Sequence, residues 1–293
     1  MNGSKSEPDA DLVLRDQPRP NVARLTLNRP KARNAQNVDL LCALNDAVEA
    51  AANDPAASVI VIAAAGPHFS SGHDIRESSG DLPPFVARTA ERDTVGMWGG
   101  FRQPGAEGQM AHELELYLGF SERWRTLPKP TIAQVQGRVI AGGLLLVWPW
   151  DIIFASDDAV FVDNTIEMGI SGVEMFAHPY EMGIRSAKEA VLTARAITAR
   201  DAWEAGHINR VVPRADLEPT VLDYAERVAR APDFALALAK QAINTSDDVQ
   251  KRSEIVRLGF ANHHLLHSHW VNENGYPADL SYFKASSVLN KGS

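Results

Sequence analysis

Apolar and polar residues alternate along VARLTLN (22–28), the period of a strand with one face covered. Some thirty residues on, SVIVIAAA (58–65) is apolar without interruption, as a strand covered on both faces requires. Between them, NVDLLCALNDAVEAAAND repeats its apolar residues every three or four positions, which predicts an amphipathic helix with Asn37 and Asp39 as its N-terminal polar residues. The same strand, helix, strand order recurs as PTIAQVQG (130–137), a helix opened by Gly142 and Gly143, and DIIFAS (151–156). Repeated units of this kind predict an α/β fold with parallel pairings.

Other stretches break the pattern. Residues 76–112 mix Gly, Pro and charge with isolated apolar positions, which predicts a long insertion or lid carrying at most a short helix. HELELYLGFSERWRTLPKP then reads as a helix stopped by Pro128. From about residue 185 helical periodicity dominates, interrupted by the short strand INRVVP. The expected organisation is a disordered tail over 1–11, a core domain over 12–213 and a helical subdomain over 214–293.

Composition narrows the partners. At 293 residues with 45% hydrophobic content the chain can bury a large core without staples, and its single cysteine, Cys42, has no internal disulfide partner. A net charge of −8 argues against nucleic acid or an anionic membrane as the main partner and in favour of a small molecule. No apolar run reaches the roughly 18 residues of a membrane span, and the first dozen residues hold no secretory apolar stretch. The expected location is therefore the cytoplasm.

Two glycine turns carry candidate chemistry. HFSSGHDI (68–75) follows a buried strand, where Ser71 and Gly72 can expose backbone N–H groups, and Ala141-Gly142-Gly143 opens the next helix. Two donors from separate loops, converging on one carbonyl oxygen, would stabilise an enolate or a tetrahedral anion. Downstream, FVDNTIEMGISGVEMFAHPYEMG supplies Asp163, Glu167, Glu174 and His178 as titratable groups.

The order LTLNRPKARNAQN, HFSSGHDIR, KPTIAQVQGRVIAGG, DIIFASDDAVF and ITARDAWEAGHINRVVP resembles the enoyl-CoA hydratase/isomerase, or crotonase, family over about residues 12–245. The resemblance implies a crotonase-like spiral of ββα units with a helical C-terminal part, assembled as homotrimers or dimers of trimers. It implies an acyl-CoA thioester as ligand, with coenzyme A part of the substrate and no separate cofactor or metal. By position, the residues matching Ser71 and Gly142 form the oxyanion hole. Lys31, Arg33, Asn34 and Ala35 match the loop along the CoA moiety, Arg76 falls near its phosphates, and Lys284, beside Tyr282 and Phe283, corresponds to a C-terminal CoA contact. Asp74 matches an acidic residue that holds local backbone.

This chain departs from the family where proton transfer belongs. Leu145 and Thr165 stand at the positions of the two glutamates that hydratases use, and neither can serve as an acid or base near neutral pH. The replacement expected is Glu174, with His178 four residues on to tune it and Asp163 as a further catalytic candidate. The reaction expected is hydration or isomerisation of an enoyl-CoA; the alternatives are an acyl-CoA hydrolase or C–C lyase, or a silent acyl-CoA-binding member. NHHLLHSHW supplies His263, His264, His267 and His269, with His263 and His267 four apart on one helical face, a spacing able to bind metal; no His-Glu motif or cysteine supports it, so structural or interface packing is expected instead. Trp148 and Trp150 are expected in the core.

Overall fold

The computed structural model describes residues 11–74 and 105–283. Strand β2 (Val22–Leu27) and the fully buried β3 (Val59–Ala64) flank helix α1 (Val38–Asn53), as the periodicities predict. Asn37 caps α1, its side chain accepting from the Leu40 amide. Strand β1 (Val13–Arg19) was not foreseen, because VLRDQPR is polar and carries Pro18. As the edge strand it pairs only with β2, antiparallel, so most of it can face water and it tolerates a proline.

The chain continues through α2 (Ala106–Glu113), a π-helical stretch Leu114–Gly119 and α3 (Phe120–Arg125). Then come β4 (Thr131–Val135), β5 (Arg138–Ile140), β6 (Ile152–Ser156) and β7 (Val160–Val162). Helices α4 (His178–Met182) and α5 (Ile184–Thr193), strand β8 (Ile197–Thr198), α6 (Ala199–Glu204) and β9 (Arg210–Val212) follow. The last helices are α7 (Leu217–Val228), α8 (Asp233–Asp248) and α9 (Arg252–Asn274). Of the expected insertion, residues 106–112 are helical, and 76–104 lie outside the described residues, as do residues 1–10 of the expected tail.

Among the described residues, the larger sheet has the order β1-β2-β3-β4-β6-β9, parallel from β2 onward, and the smaller is β5-β7-β8. Strands β4 and β6 in the larger sheet are each followed at once by a strand of the smaller one, which is the ββ element of the expected unit. The turn between β4 and β5 requires glycine: Gly137 has φ +60°, and a Cβ there would stand 2.1 Å from the Pro67 carbonyl oxygen.

The uninterrupted apolar run of β3 has a direct cause. Ile60 and Ile62 face one core with Leu40, Leu44 and Val48 of α1, whereas Val59 and Val61 face a second core with Leu217, Val221 and Ala225 of α7. The 3₁₀ turn Arg214–Asp216 leads into α7, which covers the far face of the sheet.

One expected element differs. The segment after Ile140 is a six-residue 3₁₀ helix, Ala141–Leu146, and not an α-helix. Pro149 cannot donate a helical hydrogen bond, and Trp150 turns back to bond the Leu146 carbonyl (2.6 Å), so the coil closes in two turns. Trp148 and Trp150 are buried, as expected, the latter stacked on Trp124.

Helix α9 roofs the loop between β7 and α4. A Cβ on Gly259 would stand 2.3 Å from Phe176 Cβ, and one on Gly169 would meet the Trp270 indole at 2.5 Å. Close approach at these two glycines, together with the buried Arg252 and its contacts to Glu122 (2.9 Å) and Asp247 (3.2 Å), seats the helix.

Candidate active site

A cavity of about 730 Å³ opens between the turn after β3, the start of the 3₁₀ helix, the loop 164–174 and the roof. Ser71 and His73 enter from the turn, Gly142 from the 3₁₀ helix, Glu174 from the loop, and Glu113, Tyr117, His263 and His267 from the helices. Lys31 and Arg33 line it as exposed residues, together with buried Ala35, and Tyr282 and Phe283 close the far side.

The turn's hydrogen bonds show which amides are available. Ser71 N donates to the Arg33 carbonyl (3.0 Å), Gly72 N to Ser70 Oγ (3.2 Å) and Asp74 N to the Gln36 carbonyl (2.9 Å). The expectation for Ser71 is corrected here: it lines the cavity, but its N–H is already spent holding the 29–36 loop. The His73 N–H meets no acceptor among the described residues. The Gly142 amide lies in the first turn of a helix, where N–H groups have no partner within the helix. The two turns pack tightly: a Cβ on Gly142 would stand 2.6 Å from the His73 ring, and one on Gly72 would lie 3.3 Å from Gly142 N.

Glu174 is buried in the cavity wall. Its Oε1 lies 2.9 Å from His73 Nε2 and 3.6 Å from His263 Nε2, and its Oε2 is buried without a hydrogen-bond partner. Burial opposes its charge, but the His73 and His263 rings and the bond to His73 hold the carboxyl below its ordinary pKa. Burial likewise disfavours charge on His73, and the Glu174 carboxylate more than offsets it, so the imidazole is raised. The two form an ion pair whose spare carboxylate oxygen is a bare acceptor.

His178 and Asp163 do not join this site. His178 Nε2 lies 2.9 Å from Asp163 Oδ2, and the ring packs against Trp148 and Phe176. Asp163 also accepts from Thr165 N (3.0 Å), Thr165 Oγ1 (2.6 Å) and Val173 N (3.1 Å), which shapes the loop that carries Glu174. The expected i,i+4 relation between Glu174 and His178 fails because α4 begins at His178, so the two share no helical face. Thr165 borders the cavity with its hydroxyl committed to Asp163, and Leu145 is core. Glu167, in the 3₁₀ turn Thr165–Met168, does not line the cavity.

Asn34, expected along the CoA moiety, does not line the cavity. It is buried, accepts from the Arg29 amide (2.9 Å), and donates to the carbonyls of Ala65 (2.9 Å) and His68 (3.0 Å), fastening the loop to the turn. Asp74 holds Arg29 (3.0 Å), the structural part expected of it. Arg76 and Lys284 lie outside the described residues.

Three site residues escaped sequence reading. His73 stood inside a quoted motif, but nothing local signals a carboxylate partner 101 residues away. Tyr117, whose ring stacks at 4.2 Å on His73, and Glu113 lie in a helix that reads as ordinary amphipathic chain. Glu113 Oε1 accepts from Gln109 (3.1 Å), while Oε2 faces the Nε2 atoms of His264 (3.0 Å), His267 (3.6 Å) and His263 (3.7 Å). Burial opposes charge at both ends of this cluster. The histidines still hold Glu113 well below the ordinary carboxylate range, and Glu113 raises His267 to about 9.

Comparison with known proteins agrees with this geometry. The enoyl-CoA hydratase/isomerase family pattern matches residues 18–95 and 101–276. A Mycobacterium tuberculosis protein provisionally named enoyl-CoA hydratase EchA13 is 38% identical over 89% of this chain and 81% of its own length. The 2,3-dehydroadipyl-CoA hydratase of Escherichia coli is 32% identical over 82% of this chain and 84% of its own. Among solved structures, a probable enoyl-CoA hydratase from Mycobacterium smegmatis superposes with a TM-score of 0.80 at 41% identity, covering 91% of this chain and 98% of that one. Fold and cavity together define an acyl-CoA-processing enzyme of the hydratase or isomerase type. The chain belongs to the enoyl-CoA hydratase/isomerase family, and its spiral of ββα units is the crotonase fold.

Proposed function

We propose that this enzyme hydrates or isomerises an enoyl-CoA thioester through an enolate, with the His73 and Gly142 N–H groups receiving the thioester oxygen and Glu174 carrying the proton. The observation that carries the reading is the bare, buried Oε2 of Glu174 in the same cavity as two amides free to hold an oxyanion. Exposed Lys31 and Arg33 suit the phosphates of CoA, and Ala35 gives its pantetheine an apolar wall. Coenzyme A arrives as part of the substrate, and the proton transfer itself calls on no further cofactor.

Assembly as a homotrimer or dimer of trimers fits the apolar residues left exposed on a single subunit, among them Phe234, Leu238 and Ile243 of α8 and Leu258 and Leu265 of α9. No described helix is long and apolar enough to cross a membrane, and we place the enzyme in the cytoplasm.

Crotonyl-CoA followed at its enone absorbance tests the reaction. Loss of absorbance that depends on Glu174 supports hydration, and solvent deuterium entering an enoyl-CoA without net addition of water supports isomerisation. Release of free CoA with no such signals would replace the reading with a hydrolase. Binding by calorimetry with no turnover would replace it with a silent acyl-CoA binder.

A further inference from the structure

Glu113, His263 and His267 bring one potential ligand atom each to within 4.8 Å of one another. The His263 Nδ1 faces the Gly172 carbonyl (2.7 Å), and the His267 Nδ1 faces the Pro277 carbonyl. A carbonyl oxygen can only accept, so each Nδ1 carries its proton and each Nε2 is the ligand atom, which at His267 a metal ion would claim by displacing the proton that Glu113 favours. Both Nε2 atoms face a carboxylate oxygen, Glu113 Oε2, at 3.7 and 3.6 Å. His264 Nε2, 3.0 Å from the same oxygen, is a further neighbour of the cluster.

The spacing suits a metal ion. Ligands about 2.0–2.1 Å from a tetrahedral zinc stand roughly 3.3 Å from each other. The two histidine-to-glutamate separations exceed that by a few tenths of an ångström, and the three donor atoms all lie within 4.8 Å of one another. Both histidines have the second contact that orients metal-bound imidazoles, a backbone carbonyl on the opposite nitrogen. Glu113 is steadied in turn by Gln109 on its other oxygen. The Glu113 Oε2 and His263 Nε2 atoms are buried and face the point the ion would fill.

We propose that Glu113, His263 and His267 form a binding site for one divalent transition-metal ion, of which zinc best fits the two-nitrogen, one-oxygen donor set. All three ligands line the cavity, so a fourth coordination position faces it. Glu174 Oε1, 3.6 Å from His263 Nε2, is the acidic group beside that position. The site is independent of the hydratase or isomerase reading, since it is built from different donors and is detected by metal content alone.

The full-length protein, stripped with a chelator and titrated with zinc sulfate, should take up one zinc per chain by calorimetry and by elemental analysis after dialysis. His267→Ala and Glu113→Gln should each weaken uptake by about 10²-fold or more, whereas His269→Ala, an exposed histidine of the same helix, should leave it unchanged. Cobalt loading of the wild-type protein gives an answer that survives a variant that misfolds: intense visible bands of four-coordinate cobalt are expected. Absence of stoichiometric zinc in folded wild-type protein, weak six-coordinate cobalt bands, or full uptake by His267→Ala would each overturn the proposal. Crotonyl-CoA turnover measured on the same stripped samples reports separately on the proposed reaction, so failure of one leaves the other standing.

Discussion

His73 Nε2 stands 2.9 Å from Glu174 Oε1, joining the turn after β3 to a loop 101 residues later. The contact consumes one carboxylate oxygen and leaves the other buried and unpaired. On the proposed reading, it gives a chain with Leu145 and Thr165 at the usual glutamate positions an acid and base that enters from a different loop. Glu174→Gln keeps the shape and removes the base. It should lower kcat on an enoyl-CoA by about 10²- to 10⁴-fold with little change in KM, as read by steady-state kinetics. A kcat within a factor of about three of wild type would place the proton transfer elsewhere.

Gly142 offers a test of the oxyanion pair. An added methyl would sit 2.6 Å from the His73 imidazole, which must swing away and take the neighbouring amide with it. Gly142→Ala should reduce kcat/KM by about 10²-fold or more, in the range of losing one oxyanion donor. Because the obstructing atoms belong to a side-chain ring, the melting temperature should fall by only a few degrees.

Asp163 and His178 make the opposite prediction. Asp163→Asn breaks a buried charge contact and should cost on the order of 3–5 kcal/mol of stability in denaturant unfolding. Protein that remains folded should turn over at a rate close to wild type, since neither residue lines the cavity. The pH dependence follows from the direction of the Asp163 shift. Burial opposes its charge, but the His178 contact and the Thr165 hydrogen bonds depress its pKa below the ordinary 3.8. Its contribution is present above that ordinary value and is lost as pH falls through the depressed one. The variant should therefore lack the part of the acid-induced loss of stability that belongs to this group.

At the mouth, Arg33 combines an exposed guanidinium with a left-handed backbone, φ +55°. Arg33→Asn keeps a residue type that tolerates this conformation and removes the charge. KM for an acyl-CoA should rise about two- to fivefold with kcat unchanged, and the difference should shrink at high salt. The same measurement on Lys31→Ala should give a similar, separable effect.

Much of the frame was legible because its signals are periodic. The alternation of β2, the unbroken run of β3 and the three-to-four spacing of α1 each follow from which faces are covered. The edge strand β1 was not legible, since a strand with one partner can be polar and contain Pro18. Glu174 was found because two neighbouring positions lacked acids. Its partner was misassigned to His178 because an i,i+4 contact presupposes a helix that starts only at His178 itself. That the Ser71 N–H is already spent was not legible for a similar reason: which N–H of a turn stays free depends on the carbonyls of Arg33 and Gln36, distant in sequence. Glu113 became visible as a partner of His263 and His267 only when about 150 intervening residues folded between them.

The roof described above has a consequence for when this enzyme comes into being. Seated on Gly169 and Gly259, α9 delivers His263 and His267 and closes the cavity over residues supplied by the first two-thirds of the chain. Translation proceeds from the N-terminal side, so α9 must have left the ribosome before the chamber exists. Nascent chains and fragments ending before α9 would own the sheet and the two glycine turns yet possess no enclosed chamber, which ties catalysis to chains that extend through α9.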